Sequence, residues 1–155
     1  INGGVPIFRA MPNTAIAIQE SVTCLCHHGA STEQVSYVTD LFSQLGISIN
    51  IDEKLMDAAT VLGACGIAYA LRFIRASTQG GIEIGFDAKT NLICARTVKG
   101  GAELLLKLKR HPEEEIDEVT TPKGCTIAGL NEMEHQGFSS SLIKGICTSY
   151  EKIGK

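Results

Sequence analysis

The feature that most constrains this chain is a helical run that is apolar nearly all the way round. It extends from Ile67 to Gln79, with Leu71, Phe73 and Ile74 inside it. A helix without a polar face has to be covered on every side. The chain has 155 residues, the size of one domain. In so small a chain, such a helix implies burial against another subunit. The composition fits a folded protein: 44% of residues are hydrophobic and 20% charged. With no Trp and only 5% aromatic residues, the core must be aliphatic and rich in Ala and Gly, which favours close helix packing.

The same numbers exclude several partners. A net charge of −3 without a basic stripe argues against nucleic acid. The longest nearly apolar run, Ala58 to Leu71, is too short to span a bilayer, so no membrane partner is expected. No signal peptide is expected ahead of the first structural residues. Six cysteines sit among aliphatic or small neighbours, where a free thiol behaves as a small hydrophobe. That setting predicts a reducing, cytoplasmic location. The opening Ile1-Asn2-Gly3-Gly4 is an odd way to begin a domain and predicts a piece of a longer protein.

Along the chain, Val5–Ala10 and Ser21–His27 read as short strands, separated by the turn residues Pro12 and Asn13. Two short strands need a partner sheet. Ser31-x-x-Gln34 has the form of a capping box. The helix it opens carries Val35, Val38, Leu41, Phe42 and Leu45 on one side and is expected to stop at Gly46. Ile47, Ile49 and Ile51 alternate with polar residues and predict a third strand. From Asp52 the pattern is helical. Gly63-Ala64-Cys65-Gly66 predicts an interruption or kink, Gly80-Gly81 a weak end, and Asp87 the cap of the next helix, which runs to about Lys109. His111-Pro112-Glu113 opens a short acidic helix. A helix to Gln136, a stop at Gly137 and a last helix from about Ser139 to Ile153 complete the chain.

The chemistry is concentrated in Thr121-Pro122-Lys123-Gly124-Cys125-Thr126. Pro122 ends the acidic helix near Val119. Gly124 lets the backbone turn and a ligand come close. Thr126 offers a hydroxyl where helical periodicity resumes. A helix N-terminus presents unpaired N–H groups and partial positive charge, which suit a small carboxylate; a plain cap after a turn fits the same residues. Cys125 is the one thiol near a helix N-terminus. Cys24-x-Cys26-His27-His28 converges at most two or three ligands, because His27 points away from the cysteines on a strand, and zinc needs three or four. No metal site is expected. No GxGxxG or P-loop cradles a cofactor's phosphates.

In order and with suitable spacing, the chain carries Arg9-Ala10-Met11-Pro12-Asn13-Thr14, Ala68-Tyr69-Ala70, His111-Pro112-Glu113, Thr121–Leu130 and Glu134-x-x-Gly137-Phe138. Together these segments resemble the C-terminal part of pyrroline-5-carboxylate reductase. The resemblance implies a mainly α fold: a helical bundle domain that interleaves with a second copy, plus a few short N-terminal strands left over from a Rossmann-type domain. Residues 1–51 would be the end of that nucleotide-binding domain, and 52–155 the helical dimerisation and substrate-binding domain. The implied activity is reduction of 1-pyrroline-5-carboxylate to L-proline with NADPH or NADH, held mainly by an upstream domain.

The implied assembly is a homodimer, with dimers of some members building decamers. The implied substrate-binding residues are Thr121, Lys123, Gly124, Cys125 and Thr126, with Thr126 as the catalytic group near the ring nitrogen. Asn13, Glu53, Glu118 and Cys125 would lie near the cofactor. Lys123 stands where the family commonly has glycine, and Gly63–Ile67 stands where it has Ser-Gly-Ser-Gly-Pro. The fragment alone is expected to be inactive. Two other readings remain: a non-catalytic helical interaction module, and the C-terminal half of another Rossmann-linked hydroxyacid dehydrogenase.

Overall fold

A computed structural model of the chain describes residues 4–87 and 89–153. Helices dominate, with one three-stranded sheet. The strands are β1 (Ile7–Met11), β2 (Ser21–His28) and β3 (Gly46–Asn50). β2 lies in the middle, antiparallel to β1 and parallel to β3. The parallel pair needs a crossover, and α1 (Thr32–Ser43) supplies it. Its start carries the expected capping box: Gln34 N donates to Ser31 Oγ at 3.3 Å, and Ser31 N donates to Gln34 Oε1 at 2.9 Å. The helix ends at Ser43, before Gly46. Gly46 opens β3 instead, at φ +139°, with its backbone hard against Ser21.

The helical part begins with a 3-10 turn (Glu53–Leu55), then α2 (Met56–Thr60), a π turn (Val61–Cys65) and α3 (Gly66–Glu83). α4 (Thr90–Leu108), α5 (Pro112–Glu118), α6 (Cys125–His135) and α7 (Phe138–Ile153) follow. The chain divides into two compact units. One holds the sheet, α1, α2, the π turn, the start of α3 and the end of α7; the other is Ala70–Ile143.

In the sheet-bearing unit the core is the middle strand. Ser21, Thr23, Cys24, Leu25 and Cys26 are all buried, with Met56 and Val61 from the helical stretch. A strand buried on both faces reads as a nearly unbroken run of small and apolar residues, and SVTCLCH has that character. Tyr69 Oη and Ser149 Oγ, 2.7 Å apart, tie α3 to α7 within this unit. In the other unit the Phe73 and Phe138 rings meet edge-on at 6.1 Å.

Three local expectations change. The glycine-rich Gly63–Gly66 segment does not break the helix; it widens it into the π turn. Gly80 and Gly81 do not end α3, which runs through them to Glu83. Gly81 is needed for contact: a Cβ there would sit 2.2 Å from the Thr90 methyl. Asp87 is not the cap of α4, which starts at Thr90. Asp87 shapes the approach instead, its Oδ1 accepting from Lys89 N at 3.0 Å and its carbonyl from Thr90 Oγ1 at 2.5 Å.

The apolar run is longer than its sequence suggests. Because the π turn keeps the helix continuous, the stretch Glu53–Glu83 is 31 residues, with a mean hydropathy of 1.4 over its most apolar window, and is long and apolar enough to cross a membrane. Only 6% of that window is buried within the chain. Leu71 is 59% and Phe73 40% exposed. The chain by itself therefore leaves α3 uncovered.

Candidate functional site

The loop between α5 and α6 is built by local rules. His111 caps α5 through Nδ1, which accepts from Glu113 N at 3.3 Å, and Pro112 takes the first turn, where it needs no N–H partner. Arg110 lies 3.5 Å from Glu115 and 3.7 Å from Glu118. α5 closes at Val119, and Thr120 Oγ1 donates back to the Ile116 carbonyl at 2.6 Å.

Thr121–Gly124 then forms a tight turn, with Gly124 N donating to Thr121 O at 2.9 Å. Pro122 holds the second position and Lys123 the third, at φ +59°. This is the type II pattern, which favours glycine at the third position. Lys123→Gly removes a left-handed side chain and should stabilise the chain by about 0.5–1 kcal/mol; urea unfolding of the two forms checks this.

Gly124 is the N-cap of α6, and no side chain caps that helix. The first intrahelical bond, Ala128 N to Gly124 O, is long at 3.5 Å. The N–H groups of Cys125, Thr126 and Ile127 are left without a helical acceptor. A Cβ on Gly124 would lie 2.5 Å from Thr121 Oγ1 and 3.0 Å from Thr121 O, so the glycine lets the Thr121 hydroxyl fold against the helix mouth. Thr126 is half-buried, whereas Thr121, Lys123 and the Cys125 thiol are exposed. The loop thus brings together Thr121, Lys123, Gly124, Cys125 and Thr126 around open N–H donors. That arrangement can hold a small anion and place a hydroxyl beside it. Glu118 ends the preceding helix and is engaged by Arg110.

Asn13 and Glu53 belong to the sheet-bearing unit. Asn13 caps the 3-10 turn Thr14–Ile18, its Oδ1 accepting from Ala15 N at 3.0 Å. It also borders a pocket of about 550 Å³ between one sheet face and the helical stretch. Val22, Cys24 and Ile49 line one wall; Ala59, Gly63 and Gly66 line the other. The π turn shapes that second wall, and Met11 Cε would lie 3.0 Å from a Cβ on Gly63.

Glu53 is engaged within the chain. Its Oε1 pairs with Arg9, and its Oε2 accepts from Cys26 Sγ at 2.8 Å. The Cys26 thiol and the Arg9 guanidinium hold the Glu53 carboxyl below the usual carboxylate range. Burial pushes the Cys26 thiol up, and its bond to Glu53 adds to that. Sequence reasoning missed Arg9 and Cys26. The only signal was their placement at period-two positions with Met11 and Cys24, and the register that sets Arg9 opposite Cys26 lies in the sheet. Among the described residues no group of His, Cys, Asp or Glu could hold a metal ion, and all six cysteines are free.

Residues 53–155 match the family described as pyrroline-5-carboxylate reductase dimerisation. The chain is 52% identical over 161 residues to pyrroline-5-carboxylate reductase 1 of Dictyostelium discoideum, covering 96% of this chain and 29% of that protein. It is 46% identical over 164 residues to reductase 2 of the same organism, covering 97% and 55%. Pyrroline carboxylate reductase of Plasmodium falciparum, solved with NADP bound, superposes with a TM-score of 0.91 at 28% identity, over 98% of this chain and 62% of that one. The 1-pyrroline-5-carboxylate reductase of Streptococcus pyogenes does so with 0.91 at 33% identity, over 97% and 59%. The chain spans from under a third to little more than half the length of these curated relatives. Through the helices of residues 53–155, which make up most of its length, the chain belongs to the pyrroline-5-carboxylate reductase dimerisation family.

Proposed function

We propose that this chain is the dimerisation and substrate-binding part of an oxidoreductase that reduces 1-pyrroline-5-carboxylate to L-proline. The observation that carries the reading is the uncapped N-terminus of α6 behind the Thr121–Gly124 turn, in a chain of this family. Residues 1–51 are the end of a nucleotide-binding domain, and 52–155 form the helical domain. The substrate carboxylate is held by the loop from Thr121 to Thr126 through the open N–H groups. Fixed dipoles of this kind need little reorganisation during reaction. Lys123 adds a positive charge to the rim, and the Thr126 hydroxyl hydrogen-bonds near the ring nitrogen. A protonated imine is already electrophilic, so the protein chiefly has to orient it and keep water out.

The reduced nicotinamide nucleotide, NADPH or NADH, supplies the hydride when bound. The pocket bordered by Asn13 has the apolar walls that a flat neutral ring requires, and a side-chain amide at its edge. In the sheet-bearing unit Asn13 and Glu53 are the proposed cofactor contacts; Glu118 and Cys125 are proposed cofactor contacts on either side of the α5–α6 loop. The chain supplies no phosphate-binding fingerprint, which belongs to the upstream domain.

A second copy covers the exposed helices in a homodimer. Leu71, Phe73, Leu92 and Leu104 are all at least 40% exposed. Lipid is the poorer cover for α3, because Arg72 and Arg75 lie within it and each charge costs about 2.5–3.5 kcal/mol at a bilayer centre. The location is cytoplasmic, in keeping with six free thiols.

A substrate panel on the longer protein that carries this chain tests the reaction class. Cyclic imines bearing a carboxylate should oxidise the reduced nucleotide, and open-chain 2-oxo and 3-oxo acids should not. The reverse selectivity would make it a hydroxyacid dehydrogenase. Sedimentation equilibrium should show at least a dimer; a monomer would remove the proposed cover for α3.

A further inference from the structure

The strands carry a cluster that the anion-binding loop does not use. Antiparallel register sets Met11 opposite Cys24 and Arg9 opposite Cys26. Paired positions share a face of the sheet, and so do residues two apart on one strand. On this face Cys24 lines the pocket, and Met11 reaches the π turn at Gly63. One step further along both strands, Arg9 and Cys26 close on Glu53 from two sides. Glu53 is the first residue of the helical stretch. Its carboxylate therefore ties three pieces of chain together: β1, β2 and the first helical turn. Just before it, Ile51 N donates to Leu25 O at 2.8 Å, so backbone and side chain fasten the same junction. Asp52 is paired separately with Lys54 at 3.0 Å, which leaves Glu53 to Arg9 and Cys26.

We propose that Glu53 is a positioning residue: clamped by Cys26 and Arg9, it fixes the entry of the helical stretch against the sheet, and so sets the width of the pocket that Asn13 borders. The proposal rests on the reading of that pocket as part of the dinucleotide site. Cys26 is the selective member. A guanidinium on an exposed pair can shift among rotamers, whereas a thiol fixed to the middle strand holds Oε2 in one place. Losing that donor leaves the carboxylate on Arg9 alone and lets the first helical turn swing. A hydroxyl at the same position would keep the donor.

The test compares Cys26→Ala with Cys26→Ser in the longer protein, each assayed well below its melting temperature. Cys26→Ala should raise the KM for reduced nucleotide, and its calorimetric Kd, by roughly fivefold, the size of one lost hydrogen bond. The KM for the imino acid should not change, and Cys26→Ser should restore the parent values. In this chain alone, carbon-detected NMR should find the Glu53 carboxyl titrating below the usual carboxylate range, moved upward in Cys26→Ala and not in Cys26→Ser. Unchanged nucleotide affinity in Cys26→Ala, a serine variant that behaves like alanine, or an ordinary Glu53 titration would overturn the clamp. A protein that binds nucleotide but reduces no imine would instead overturn the reductase reading, and the calorimetric and NMR arms would still decide the clamp.

Discussion

Thr126→Ala in the longer protein should lower kcat/KM for pyrroline-5-carboxylate by about 100-fold, the size of one donor lost at a reacting centre. Thr126 sits in the first turn of α6, half-buried, with its backbone N–H among those left open. The substitution removes the hydroxyl and leaves that N–H in place. Carboxylate binding should persist, so kcat should carry most of the loss. Alanine suits a helix at this position, so the melting temperature and the association state should match the parent. Unchanged kinetics would take Thr126 out of the mechanism. A fall in kcat accompanied by dissociation would make it a structural residue instead.

Gly46→Ala should cost more than about 4 kcal/mol, because it forces a clash and backbone strain together. Gly46 starts β3 at φ +139°, a conformation that side chains rarely adopt. A Cβ there would meet Ser21 O at 2.1 Å and Ser21 N at 2.4 Å. Both are backbone atoms of the buried middle strand, and Ser21 N also donates to Leu45 O at 3.1 Å. Neither can move without separating β2 from β3. In this chain alone, urea unfolding followed by far-UV circular dichroism should show the midpoint collapse. A midpoint within experimental error of the parent would mean that the β2–β3 junction is far looser than its geometry requires.

Much of the fold was legible because the signals were local. The Ser31 capping box, the His111 cap with Pro112 and the Gly137 stop depend on neighbours within four residues, and each forms; the three strands were legible as segments, although their pairing joins distant residues. The misread points depend on distant partners. Gly81 reads as a helix end, yet it lies within α3, close against Thr90. Gly63–Gly66 reads as a break, yet the chain stays helical by widening into a π turn. That continuity made an apolar segment longer than its sequence suggested.

The candidate site divides the same way. Pro122 and Gly124 announced the turn and the close approach. The left-handed backbone at Lys123 was not visible, since lysine has no preference for it. Glu53 was singled out, but its partners were not: Arg9 is 44 and Cys26 is 27 residues away in sequence. Strand register joins them, and no pattern in the sequence states that register.

The most direct test of the account is reduced-nicotinamide oxidation with pyrroline-5-carboxylate, run side by side on this chain and on the longer protein with its upstream domain. The longer protein should turn over, with proline as the product, and this chain should not. No turnover by the longer protein with either NADPH or NADH would contradict the proposed activity. Turnover by this chain alone would contradict the assignment of dinucleotide binding to an upstream domain.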